Sequence, residues 1–265
     1  MSINNRLINT GGGAAPWDVR NIQSTTETNL TSVSGLASNS PFTLQVVGNG
    51  NYLLLSNNNY VLYLVPLSVP YDTSSAGTVL YTQSTGAYFS GARIFWMKED
   101  GTRLYVSLDA GTYNPIRQYD LSIPYDIRSF TYSGIWNSNV AYVGIRSIQF
   151  AMGGTRCYAQ GAYNRTLQLN LSTAWDISTA TMVLNEGSPA TTYYTAVSEN
   201  GQYAIRSNVF YEMSTLGDFT TKTQIGTPSV GLTGLSYASY DLYGNSLYEA
   251  SYGASYAGVK QHKIT

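Results

Sequence analysis

Leu121-Ser122-Ile123-Pro124-Tyr125-Asp126 is one copy of a phrase that this chain writes five times. The others are Ala15-Pro16-Trp17-Asp18, Leu67-Ser68-Val69-Pro70-Tyr71-Asp72, Leu171-Ser172-Thr173-Ala174-Trp175-Asp176 and, decayed, Met213-Ser214-Thr215-Leu216-Gly217-Asp218. Successive aspartates stand 54, 54, 50 and 42 residues apart. A period near fifty, in a chain with almost no helical pattern, marks an array of small sheets, radial or stacked.

Between the phrases a glycine turn recurs, joining two apolar-aromatic runs. It reads Gly48-Asn49-Gly50-Asn51, Glu99-Asp100-Gly101-Thr102, Gly153-Gly154-Thr155, Glu199-Asn200-Gly201-Gln202 and Tyr243-Gly244-Asn245. Such turns between strand-like runs are hairpin signals, because glycine takes the positive φ that a tight turn needs. In the third repeat the pattern predicts strands at Ile145–Ala151, Arg156–Gln160, Leu167–Leu171 and Thr179–Leu184. Four strands in about fifty residues match one blade of a β-propeller, and no shorter solenoid period is visible. The expected fold is all-β: a single five-bladed propeller with four-stranded blades of 42–54 residues. Innermost strands are expected at Phe42–Val47, Arg93–Met97, Ile145–Ala151, Tyr193–Val197 and Leu235–Ser239.

The two ends of the sequence fit together. Val259-Lys260-Gln261-His262-Lys263-Ile264-Thr265 aligns with Ile116-Arg117-Gln118-Tyr119-Asp120-Leu121-Ser122, the third strand of its repeat. The phrase that should follow begins at Ala15. The last blade is therefore expected to take its outer strand from near Val19 to Thr26, which leaves the ring no open seam. In this register residues 14–265 form the propeller and residues 1–13 are an extra arm.

Charged residues make up 11% of the chain and the net charge is -1. With no basic stripe, nucleic-acid binding, which rests on phosphate neutralisation, is not expected. No apolar run reaches a membrane span, and Met1-Ser2-Ile3-Asn4-Asn5-Arg6 lacks the apolar core of a signal peptide. The lone Cys157 falls in a predicted strand and reads as a buried structural thiol.

No catalytic constellation stands out. His262 is the only histidine and reads as a partly exposed strand residue. There is no Gly-x-Ser-x-Gly elbow, no His/Cys metal cluster and no phosphate-binding glycine motif, so neither metal nor cofactor is expected. Paired carboxylates of the glycosidase type would have to break the repeat. Asp18, Asp72, Asp126 and Asp176 follow it, as residues bonding backbone N–H groups in a turn do. Trp17, Tyr71, Tyr125 and Trp175 admit two readings: repeated packing, or a ring of equal ligand pockets.

Gln118-Tyr119-Asp120-Leu121-Ser122-Ile123-Pro124-Tyr125-Asp126-Ile127, Gln168 to Thr181 and the hairpin Asp100-Gly101-Thr102-Arg103-Leu104-Tyr105-Val106 resemble a repeat of propeller-like virion proteins of tailed bacteriophages. There it runs roughly Gln-Tyr-x-Leu-Ser-Thr-Pro-Trp-Asp-Ile-Ser-Thr-Ala, followed by Phe-Ser-x-Asp-Gly-Thr-x-Tyr-Val. The match is best in the middle blades and poor near 185–218. The resemblance implies a non-enzymatic tail or capsid-surface component, assembled in bacterial cytoplasm and carried on the particle. A soluble propeller lectin is the alternative and a propeller glycosidase the third.

Tyrosine is abundant, at 24 residues. Most suit strands, but others fall in loops. Tyr88, Phe89, Tyr113, Trp136, Tyr163, Tyr193 and Tyr256 are expected on the face opposite the glycine turns, on loops of unequal length. Exposed aromatics on irregular loops make a binding face for a host glycan or another virion protein, or they plug the channel mouth. Unequal loops (Thr82 to Ala92, Ser133 to Gly144, Asn185 to Thr191) argue against five equal lectin pockets. In the arm, three consecutive glycines form a joint. Ile3, Leu7 and Ile8, with Arg6 at the rim, are the expected anchors onto a neighbouring protein.

Overall fold

The computed structural model describes residues 22–30, 33–36, 41–57, 59–84, 92–108, 115–138, 144–161, 165–187, 195–206, 209–227, 240–243, 246–251 and 258–264. Their strands form five antiparallel four-stranded sheets arranged as the blades of a propeller. The first strand, β1 (Ile22–Asn29), is used last. Blade one is β2 (Pro41–Val47), β3 (Tyr52–Asn57), β4 (Val61–Pro66) and β5 (Tyr81–Ser84). Blade two is β6 (Ala92–Met97), β7 (Arg103–Leu108), β8 (Ile116–Leu121) and β9 (Phe130–Trp136). Blade three is β10 (Ile145–Ala151), β11 (Arg156–Gly161), β12 (Arg165–Leu171) and β13 (Ala180–Gly187). Blade four is β14 (Thr195–Val197), β15 (Tyr203–Arg206), β16 (Val209–Met213) and β17 (Lys222–Gly226). Blade five is β18 (Tyr240–Tyr243), β19 (Ser246–Ser251) and β20 (Gly258–Ile264), completed by β1.

Closure is a full antiparallel ladder. β1 pairs with β20 from Ile22↔Ile264 to Asn29↔Gly258. The closing strand thus lies three residues beyond the sequence expectation at its C-terminal end, and residues 19–21 lie outside the described part. The stretch Leu235–Ser239 and residues 193–194 also lie outside it; the described inner strands there are β18 and β14.

Burial follows from each strand's place in a blade. β3 is buried at every position after its first residue and β10 at every position but one. Both faces of an interior strand meet a neighbouring blade, so the sequence reads as a near-continuous apolar run. On outer strands alternation returns, as in β5 and along most of β13, because one face looks to solvent. Register slips recur at equivalent places: early in β2, β6 and β10, and between the third and fourth strands of blades two, three and four. One extra residue strengthens the local twist, which each narrow blade needs to turn from the axis to the rim.

The core is a set of layers between blades. Blades two and three share Trp96, Tyr105, Ile116, Ile148, Phe150, Cys157, Leu167 and Ile177. Blades one and two share Leu54, Leu64, Phe95, Met97, Leu104, Val106 and Ile127. Tyr248 and Val259 of the last blade pack with Leu44, Leu53 and Val65 of the first. At the axis Leu44, Phe95 and Ile148 stand among Thr43, Gln45, Ile94, Trp96, Ser147, Gln149 and Thr195, leaving about 10 Å³ of free space. That is room for about one water. The described side chains pack this part of the axis closely.

Trp96 and Ile148 are 9% and 6% exposed. Truncation leaves a cavity that rigid sheets cannot close, so Trp96→Ala should cost about 3–5 kcal/mol and Ile148→Ala about 2–5 kcal/mol. Urea unfolding checks this; losses below about 1 kcal/mol would place these side chains outside the core.

Candidate functional site

The repeated phrase builds one local structure in each of the four described copies. Its aromatic position takes a left-handed backbone: φ is 65° at Tyr71, 64° at Tyr125, 67° at Trp175 and 71° at Gly217. In that conformation its N–H donates to the turn glycine of its own blade. The bonds are Tyr71 to Gly50 (2.9 Å), Tyr125 to Gly101 (3.0 Å), Trp175 to Gly154 (2.9 Å) and Gly217 to Gly201 (2.8 Å). Where the residue carries a ring, the ring lies flat on the glycine. A Cβ at Gly50 or Gly101 would meet the tyrosine ring at 2.6 or 2.5 Å, and one at Gly154 would sit inside the Trp175 indole. So these glycines answer two demands, positive φ and a ring with no room beneath it.

The aspartate that follows caps a short turn. Asp72, Asp176 and Asp218 each accept from the backbone N–H two residues on, at 2.9–3.0 Å, and from the same residue's hydroxyl at 2.6 Å. Asp126 accepts from the Arg128 N–H and, bidentately, from its guanidinium. A Ser or Thr at the third position beyond each aspartate ties the turn shut, its hydroxyl donating to the aspartate's own carbonyl at 2.7–2.8 Å. These are Asx-type turns, with the acid committed to backbone N–H groups. The Arg128 side chain holds the Asp126 carboxyl below the usual carboxylate range, and burial only partly opposes it. For Asp100, burial works upward, but hydrogen bonds from Lys98 and Thr102 bring the net shift below that range. Tyr125, whose hydroxyl donates to the Glu99 carbonyl, has its pKa pushed up to about 12 by burial, with Glu99 and Asp100 adding to it.

The same turn is gripped by the preceding blade. Tyr158 donates to the Gly217 carbonyl at 2.8 Å, Tyr248 to that of Tyr71 at 2.9 Å, and Tyr105 to that of Trp175. The glutamines Gln118, Gln168 and Gln261 accept from the N–H after the aspartate: Ile177 (2.9 Å), Phe219 (2.8 Å) and Thr73 (3.3 Å). Nearer the axis, Gln45 brackets the backbone of Met97 and Gln149 that of Val197, each with two bonds of 2.6–2.7 Å. Between blades one and two the positions equivalent to the Tyr and Gln are Leu54 and Leu64, which pack in an apolar cluster, and the Gln45 bonds to Met97 are kept.

Beside Trp175 the surface opens into a groove of about 390 Å³, lined by Lys98, Thr102, Arg103, Asp120, Leu121, Ala174 and Trp175. Arg103 pairs with Asp120 at 2.9 Å and donates to the Trp175 carbonyl at 2.9 Å. The Lys98 ammonium stands 5.6 Å above the indole and is paired with Asp100. Beneath the groove Trp175 stacks on Trp96, their centroids 5.7 Å apart.

Of the loop aromatics, Tyr88, Phe89, Tyr113, Tyr163, Tyr193 and Tyr256 lie outside the described residues, as do Trp17, Asp18 and the arm with Ile3, Arg6, Leu7 and Ile8. Trp136 is a correction. It is the last residue of β9, opposite Ile116, and is 8% exposed in the layer between blades two and three. The strand runs further than the loop reading allowed. His262 is also a correction: it is 1% exposed, bonded to Thr25 at 2.8 Å and to the fully buried Glu249 at 3.3 Å, and so joins three strands of the closing blade. Cys157 is fully buried, and burial pushes its thiol pKa up. Among the described residues no group of His, Cys, Asp and Glu could hold a metal, and no helix is long and apolar enough to cross a membrane.

No protein-family model and no curated protein match this sequence. Among solved structures it is similar to the β-propeller domain of Cps50 (Swd1) from Myceliophteria thermophila, with a TM-score of 0.51 at 8% identity, covering 92% of this chain and 99% of that one. It also matches a putative 6-phosphogluconolactonase from Bacteroides uniformis, at a TM-score of 0.47 and 12% identity over 79% of this chain and 62% of that one. At 8% identity the likeness to the first of these defines the fold alone, and with the five sheets counted above the class is a five-bladed β-propeller.

Two outcomes follow from the turn. Gly153 has φ 61° and open space where a Cβ would go, whereas Gly154 carries the Trp175 ring. Gly153→Ala should therefore cost only the left-handed penalty of about 1–2 kcal/mol, and Gly154→Ala clearly more, by urea unfolding. Asp126 and Asp100 are held below their unfolded values of about 4. Their stabilisation is complete above that pH and is lost as pH falls through the lower folded values. Melting temperature should drop in acid, and less steeply in Asp126→Asn.

Proposed function

We propose that this chain is a non-enzymatic structural component of a tailed-bacteriophage virion, held on the tail or capsid surface. The observation that carries this reading is the repeat itself. The phrase whose sequence resembles virion propeller repeats is used, in every described copy, to build the blade. Its aspartate caps a turn, its left-handed residue bonds the turn glycine, and in three copies a neighbouring blade grips it. Groups committed in this way favour a scaffold over a glycosidase built on those acids. Layers of apolar packing between the described blades suit a particle exposed to harsh surroundings. Five equal lectin pockets are disfavoured, since the aromatic position changes from Tyr to Trp to Gly around the ring.

In this reading the arm, residues 1–13, docks the propeller on a neighbouring virion protein through Ile3, Leu7 and Ile8, with Arg6 at the rim, and the loop aromatics other than Trp136 serve contact with a host glycan or a further partner. Mass spectrometry of gradient-purified particles, from phage carrying the intact gene and from phage lacking codons for residues 1–11, tests it. The full chain should band with the particles and the truncated chain should remain in the supernatant, folded. Absence of the full chain from particles would overturn the virion role. Normal incorporation of the truncated chain would overturn the arm's part in it.

A further inference from the structure

We infer that the groove between blades two and three is a binding site for a neutral pyranose sugar. At the first strand position after the turn, blade one has Tyr52, blade two Arg103 and blade three Arg156, each opposite the last residues of the third strand. Where blade one meets blade two, the Tyr52 ring lies 4.9 Å from that of Tyr125 and covers it. Where blade three meets blade four, the aromatic is replaced by Gly217, and Met152 packs against the glycine pair. Where blade two meets blade three, neither filling occurs, and about 390 Å³ stands open beside a half-buried indole. A departure from the repeat that leaves open volume beside an aromatic surface is not explained by blade packing.

The lining specifies the ligand class. An indole face is electron-rich and attracts weakly positive hydrogens; the ammonium of Lys98 above it already reports that polarity. The C–H face of a pyranose has the same polarity and a matching flat shape. Around the ring stand donors and acceptors together: the Arg103 guanidinium, the Asp120 carboxylate, the Thr102 hydroxyl and the Lys98 ammonium. The carboxylate accepts from one sugar hydroxyl while the paired guanidinium donates to its neighbour, a match for adjacent hydroxyls. Charge is balanced, Lys98 and Arg103 against Asp100 and Asp120, which disfavours phosphate or a carboxylated sugar. Lys98, on its flexible stem, moves aside for the ring. The volume falls within the range of small-ligand sites, at about 300–1,000 Å³.

This inference does not rest on the virion role. A groove that fails to bind sugar leaves the structural reading untouched, and a sugar-binding protein absent from particles leaves the groove standing. Saturation-transfer NMR of the full chain with glucose, galactose, mannose and N-acetylglucosamine, each to about 50 mM, is the test. At least one should receive saturation through its ring C–H groups. Asp120→Asn should weaken that binding about tenfold or more with the melting temperature unchanged. Trp175→Gly, which installs the residue natural to the fourth repeat, should abolish it. Saturation of none of the four, binding confined to sulfated or carboxylated sugars, or undiminished binding by Asp120→Asn would each overturn the assignment.

Discussion

A left-handed residue bonded to a glycine is the constraint on which the rest of this structure depends. Tyr71, Tyr125 and Trp175 occupy a backbone region that costs a side-chain-bearing residue about 1–2 kcal/mol, and each of these repeats accepts that cost at the same position. The offset is local. The strained residue's N–H reaches the hairpin turn across the blade, its ring covers the turn glycine, and the next residue caps a tight turn with its carboxylate. Together these fix where the chain leaves the third strand and where it enters the fourth. The fourth repeat supports the same logic by a different route: Gly217 keeps the conformation and the hydrogen bond but has no ring, and Met152 takes up the space.

Because that turn is rigid, its carbonyl and the following N–H become fixed points for the neighbouring blade. A Tyr hydroxyl on the second strand reads the first and a Gln amide on the third reads the second. Where Tyr and Gln are absent, as at Leu54 and Leu64, apolar side chains pack at those two positions instead. Both solutions satisfy the rule that a buried backbone group has a partner or lies elsewhere. The use of both lets repeats of the same fold diverge in sequence. The groove beside Trp175 arises from this divergence, since Arg103 and Asp120 stand where a neighbouring interface has Tyr52 and Pro66.

Much of the architecture is legible without a structure because it repeats. Five phrases and five glycine turns give the blade count, and the match between Val259–Thr265 and Ile116–Ser122 gives the closing strand. The third strand of blade three begins earlier than expected, at Arg165 against Leu167, because pairing continues into residues whose side chains are polar. Trp136 reads as a loop residue because β9 ends on a Trp after an irregular register, a slip that no local pattern announces. The sugar groove is harder still. Lys98, Arg103, Asp120 and Trp175 come from a turn, two strands and the next repeat, and their proximity exists only once two blades pack. The glutamine latch did leave a signal: Gln118, Gln168 and Gln261 share a repeat position and lie 2–3% exposed. An amide retained among apolar neighbours at the same step of a repeat marks a bond that the repeat needs.

The most direct test of this account is a double-mutant cycle in urea on Gly154→Ala and Trp175→Gly. If the ring resting on the glycine is what organises the turn, removing the ring gives the new methyl room, while a glycine introduced at position 175 keeps the left-handed backbone. The double variant should then be more stable than the sum of the single losses by about 1.5 kcal/mol or more. Additive losses, within about 0.5 kcal/mol, would show that the two positions are energetically independent and would contradict the central claim.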